Sequence, residues 1–183
     1  VTSAQGTRHL KAMRWGFVPH WYKSMTGGPL LINARSETIA EKPAFREACR
    51  LRRCLIPADG FYEWSRKSGR PPIAYRVTRS DRQPMAMAGI WQDWDSAGIR
   101  IKTCAIVITE ANTAMAKIHH RLPVILGPEH WSLWLGEVGK GAAKLLHPVA
   151  DEALEICRVS VAVNSNRATG PDLWKTIAVG CGP

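Results

Sequence analysis

The sequence predicts an α+β fold: a single domain over residues 1–183, built on a curved, barrel-like, mainly antiparallel β-sheet with short flanking helices. Three observations lead there. At 183 residues and 45% hydrophobic, the chain is long enough to bury one sizeable core and short for two independent ones. Short β-rich segments dominate, and Gly- and Pro-punctuated turns separate them. The helical segments are scattered among the strands instead of alternating with them, which argues against a parallel βαβ sheet.

The elements follow in chain order. Leu30-Leu31-Ile32 reads as an apolar strand running into a polar cluster. Helical periodicity is best over Lys42 to Arg50, with Pro43 tolerable in a first turn. Ile73, Tyr75 and Val77 alternate on one strand face, between turn clusters at Arg66 to Pro72 and Ser80 to Pro84. Met85 to Trp91, Ile99 to Thr109 and Leu154 to Val163 read as further strands. A second helix is expected over Pro128 to Leu135, where Pro128 follows Gly127 at a first helical position. No internal repeat or low-complexity segment interrupts this pattern.

Composition narrows the function. With 25 Lys and Arg against 15 Asp and Glu, the net charge is +10, which favours polyanionic partners, nucleic acid first among them. The five Cys (49, 54, 104, 157 and 181) are odd in number and contain no CxxC pair, so neither a disulfide framework nor a zinc ribbon is indicated and a reducing cytoplasm fits best. No apolar run approaches the roughly 20 residues that cross a bilayer, so no membrane partner is expected. Eight Trp are many for this length; most must pack in the core, but Trp15, Trp21 and Trp64 lie near basic residues and could offer faces for unpaired bases.

Three segments could carry chemistry. Asn33 to Glu37 sits at a strand end, a rigid place to mount a site. Asn33 supplies an amide donor and acceptor, and Arg35 a planar fork suited to phosphate; a turn cap by Asn33 or Ser36 is the alternative. In Gly60 to Trp64, alternation puts Phe61 and Glu63 on one side and Tyr62 and Trp64 on the other. Glu63 is then a half-buried carboxylate suited to acid/base work, or one paired with a nearby Arg. In Ile118 to Pro123, His119 could move protons near neutrality. Adjacent His119 and His120 on an extended chain would point to opposite sides, which argues against a shared metal, and no metal or cofactor is expected.

Taken together, these segments resemble the SRAP family, the SOS response-associated peptidase-like proteins, also described as abasic-site processing proteins. Met13-Arg14-Trp15-Gly16-Phe17-Val18-Pro19-His20-Trp21 is similar to the family's Arg-Trp-Gly-Leu-Ile-Pro-x-Trp, and Asn33 to Thr38 to its Asn-Ala-Arg-x-Glu-Thr. Arg53 to Trp64 is nearly a consensus copy, and Ile118-His119-His120-Arg121-Leu122-Pro123 matches Ile-His-x-Arg-Met-Pro, with Leu122 a volume-conserving change. The match covers about residues 13–171 and ends on Val163-Asn164-Ser165-Asn166.

The resemblance implies a specific chemistry. An N-terminal cysteine, exposed by removal of the initiator Met, condenses through its amine and thiol with the ring-opened aldehyde of an abasic deoxyribose. The product is a thiazolidine DNA–protein crosslink that shields the lesion. Matching positions assign Asn33 to holding the amine or sugar, Glu63 to acid/base work at the Schiff base, and His119 to ring opening and later proton transfer. Arg35 and Arg121 would hold phosphates; Trp15, Pro19 and Trp64 would shape an apolar wall and wedge. Family members begin Met-Cys-Gly-Arg, whereas the sequence begins Val1-Thr2-Ser3, so the expectation is a chain without the family's first strands and catalytic Cys. The partner implied is single-stranded DNA with abasic sites, alongside replication-fork proteins, for a cytoplasmic monomer that is nucleoid-associated if bacterial. The alternatives are a non-covalent single-stranded DNA module, or a peptidase limited to N-terminal self-processing.

Overall fold

The structure is a computed structural model that describes residues 1–66, 71–96 and 98–181. In chain order its strands and helices are β1 (Thr2–Ala4), β2 (Thr7–His9), β3 (Arg14–Trp15), β4 (Asn33–Arg35), α1 (Arg46–Leu51), β5 (Arg53–Ala58) and β6 (Phe61–Ser65). There follow β7 (Ile73–Arg79), β8 (Met85–Ser96), β9 (Ile99–Glu110), α2 (Thr113–Ala116), β10 (Arg121–Pro123), α3 (Pro128–Leu135), β11 (Leu154–Val159) and β12 (Thr176–Cys181). The class is α+β, as the sequence predicts. The chain groups into two compact units, residues 1–57, 86–109 and 123–147 in the first, and 58–85, 110–122 and 148–183 in the second.

The first unit is built around the long hairpin of β8 and β9, paired antiparallel from Gly89↔Ile106 to Ser96↔Ile99. Gly98, with φ of +79°, turns the chain where a side chain would be strained. β3 and β4 both join β9 in parallel, Trp15 opposite Cys104 and Asn33 opposite Ile106, so this sheet is mixed where an antiparallel one dominates the expectation. β3 and β4 follow one another along β9, with residues 16–32 looping out between them, and both reach β9 only through the long connection after β4, which nothing local in the sequence announces. Phe17, Ala34, Leu55, Ile90, Val107, Val124 and Trp134 form the core of this unit. The Trp134 indole N–H donates to the carbonyl of Cys54 at 2.9 Å, satisfying a buried donor.

The second unit carries a four-stranded antiparallel sheet in the order β12-β11-β7-β6, with Glu63 opposite Tyr75 and Trp64 opposite Ala74. Its buried side chains include Val77, Met115, Leu122, Ile156 and Val159.

The helix expected over Pro128 to Leu135 forms over those residues, closed by Gly136 at φ of +78°. The helix expected over Lys42 to Arg50 begins later, at Arg46, after a run of turns. The strand expected through Val163 stops at Val159; Val161–Asn164 is a 3-10 turn capped by Ser160, whose Oγ accepts from the N–H of Ala162 at 3.2 Å. Four residues of the expected Arg66 to Pro72 turn, 67–70, lie outside the described residues. Cys49, Cys54 and Cys104 are free thiols, and Cys157 is disulfide-bonded, which departs from an all-thiol reading. Burial pushes the Cys54 thiol up to about 12, so it is an inert packing group. No helix among the described residues is long and apolar enough to cross a membrane.

Candidate functional site

The candidate residues fall in both units. In the first, Asn33 and Arg35 flank the buried Ala34, so β4 packs its middle residue and presents both polar side chains to solvent. Trp15 is 55% exposed, yet its indole N–H donates to the carbonyl of Ile32 at 2.8 Å, which ties it beside the Asn33 motif. Pro19 is buried, and its carbonyl accepts from the N–H of Tyr22, turning the chain so that Trp21 projects outward.

In the second unit, Glu63, Trp64 and His119 come together. Glu63 Oε2 lies 3.8 Å from His119 Nδ1, with the two side chains 26% and 35% exposed. The other carboxylate oxygen accepts the backbone N–H of Trp64 at 3.0 Å. His119 Nδ1 also lies 3.1 Å from the backbone N of Arg121 and 3.3 Å from its carbonyl oxygen, so it accepts from the first or donates to the second according to the ring's tautomer. These groups border a cavity of about 490 Å³, lined also by Arg66, Ile118 and His120.

Local structure explains the placement. β6 is an edge strand of its sheet, and the alternation read from the sequence holds, with the Tyr62 and Trp64 rings 6.5 Å apart on one face. His119 follows the short helix α2, which is capped by Asn112: the Asn112 side-chain oxygen accepts from the N–H of Met115 at 2.9 Å, and the Asn112 amide donates to the carbonyl of Val149 at 3.1 Å. The N–H of His119 bonds the carbonyl of Met115, so the ring leaves a helical turn instead of an extended strand. That corrects the picture of two opposed imidazoles, because the His119 and His120 rings lie 4.5 Å apart. Among the described residues, no group of three His, Cys, Asp or Glu side chains has metal-binding geometry.

A larger cavity of about 640 Å³ in the first unit is lined by groups such as Ile39, Cys49, Leu133 and Trp134 and by no carboxylate or imidazole. It lacks the facing carboxylate and imidazole of the smaller cavity, so size alone does not mark the chemistry. Sequence reasoning passed over Arg66 and His120 as cavity walls. It also gave no role to Asn164, whose Oδ1 accepts from the Trp64 indole at 2.7 Å. Its stretch was legible as a motif, but a bond across a hundred residues leaves no local signal.

Comparison with known proteins agrees with these motifs. The family model described as SOS response associated peptidase (SRAP) matches residues 1–166. The abasic site processing protein YoaM of Bacillus subtilis is 39% identical over 168 residues, covering 90% of this chain and 74% of the relative. The abasic site processing protein HMCES of Xenopus tropicalis is 32% identical over 196 residues, covering 93% of this chain and 58% of the relative. A crystal structure of a protein from Bacteroides thetaiotaomicron superimposes with a TM-score of 0.82 at 29% identity, covering 90% of this chain and 75% of that one.

Proposed function

Because this chain belongs to the SRAP family, we propose that it processes abasic sites in single-stranded DNA, with Glu63 and His119 as the proton carriers and Asn33 holding the reacting amine or sugar. The observation that carries the reading is the Glu63–His119 pair, 3.8 Å apart on the wall of a half-enclosed cavity.

The chemistry needs such a pair. Opening the abasic sugar takes a proton from the C1′ hydroxyl and returns one to the ring oxygen, which frees the aldehyde. Condensation with a neutral amine then expels water, and an acid must protonate the departing hydroxyl. In the covalent form of the reaction, a thiol on the same residue adds across the resulting C=N bond and closes the thiazolidine. Glu63 and the His119 imidazole supply acceptor and donor for these steps. Arg35 and Arg121 hold the flanking phosphates, and Trp15 and Trp64 form the apolar wall and wedge, with the buried Pro19 shaping the turn that follows Trp15. Such recognition reads a gap and a backbone, so it needs no base-edge contacts.

The test uses an oligonucleotide with one abasic site and the protein as its native reading frame encodes it. A gel-stable adduct, reduced about 10²–10⁴-fold in rate by Glu63→Gln or His119→Ala, is the expected result. Salt-sensitive binding without any adduct would select the non-covalent module. Equal affinity for abasic and intact single strands would overturn the proposal.

A further inference from the structure

We infer that Asn164 is a positioning residue, whose amide oxygen fixes the Trp64 indole as one wall of the Glu63–His119 cavity. The inference rests on the function proposed above only for its consequence in DNA binding; the contact itself stands on geometry.

Trp64 is tethered at both ends. Its backbone N–H donates to Glu63 Oε1 at 3.0 Å, and its indole N–H donates to Asn164 Oδ1 at 2.7 Å. An indole has one donor and no acceptor, so an acceptor of fixed position selects one rotamer of the ring. Asn164 is itself fixed, as the last residue of the Val161–Asn164 turn, where Val163 N–H bonds the carbonyl of Ser160 and Ser165 N–H that of Ala162. Farther along, the same segment is fastened to the sheet face that carries Trp64. The Tyr62 hydroxyl donates to the carbonyl of Leu173 at 3.1 Å, Arg76 Nη1 donates to the carbonyl of Trp174 at 2.7 Å, and the Trp174 ring meets Tyr62 at 5.4 Å. Residues 160–174 therefore act as a strap across Tyr62 and Trp64, with Asn164 as its contact to the cavity. A half-exposed Trp on an edge strand would otherwise exchange rotamers, and a ligand would have to order it on binding.

The measurement is a ¹H–¹⁵N spectrum of the full chain, with the Trp64 indole resonance assigned by its loss in Trp64→Phe. Asn164→Leu keeps the side-chain size and removes the acceptor; Asn164→Asp keeps an acceptor oxygen. The expected result is a displaced, faster-exchanging Trp64 indole N–H in Asn164→Leu and near-restoration in Asn164→Asp. Affinity for abasic single-stranded DNA should fall about threefold to tenfold in the first variant and recover in the second, with urea midpoints unchanged. An unmoved indole signal in Asn164→Leu overturns the inference, as does a moved signal with unchanged affinity. If the wild-type chain shows no preference for abasic DNA, the proposed function fails, and the indole arm alone still decides the positioning role.

Discussion

A single atom decides several positions. At Gly60 an added Cβ would lie 2.4 Å from the carbonyl oxygen of Val77 and 2.9 Å from the Trp174 ring. Backbone cannot yield as a flexible side chain can, so Gly60→Ala should destabilise by about 1–3 kcal/mol, read as a lowered urea midpoint. At Asn112 the side chain serves both the N–H of Met115 and the carbonyl of Val149, so Asn112→Ala should cost about 1–2 kcal/mol and loosen the turn that carries His119. Asn112→Asp restores only the cap. A proton-step rate that falls in Asn112→Ala, with Glu63 and His119 intact, would show that the turn places the imidazole; an unchanged rate would refute it. The types of Glu63 and His119 were legible in the sequence because their motifs are local. Their 3.8 Å approach was not, since it depends on pairing β6 with β7 and on a turn some 50 residues away.

Among the elements, legibility followed locality again. α3 was readable from Pro128 at its start and an apolar face to Leu135, because cap, length and periodicity all lie within ten residues. Val159, Val161 and Val163 alternate like a strand, yet β11 ends at Val159 and the Ser160 cap opens a 3-10 turn over Val161–Asn164. The β1–β2 hairpin turns at Gln5 and Gly6, with φ of +51° and +75°, and it is held to the end of α3 by Arg8. Arg8 donates to both oxygens of Glu137, at 2.9 and 2.7 Å, and this hydrogen bonding holds the Glu137 carboxyl down to about 2. A folded value below the unfolded one, about 4.3, gives stability that is present above the unfolded value and lost as pH falls toward 2. Arg8 is 38% exposed, so screening limits the effect to about 1 kcal/mol. Glu137→Gln should therefore lower stability at pH 7 by about that amount and match the wild type near pH 2. Equal pH dependence in the two proteins would contradict the assignment.

Charge acts on the whole molecule. A net +10 cannot by itself choose among polyanions, but combined with the proposed recognition of a gap and a backbone it fixes how binding should respond to salt. Each phosphate neutralised on a single strand contributes about 0.7 to the slope of log affinity against log salt, independent of whether a base is present. Arg35 stands exposed beside Ala34 at the end of β4, where the strand holds its backbone rigidly. If it neutralises one phosphate, Arg35→Ala should flatten the slope by about 0.7 and weaken abasic and intact single strands by the same factor. Glu63→Gln should instead leave the salt slope unchanged while slowing proton-dependent steps at the lesion. The two variants thus separate holding the strand from acting on it. A slope unchanged in Arg35→Ala would remove Arg35 from the phosphate path, and an effect confined to abasic strands would move it from the backbone to the lesion itself.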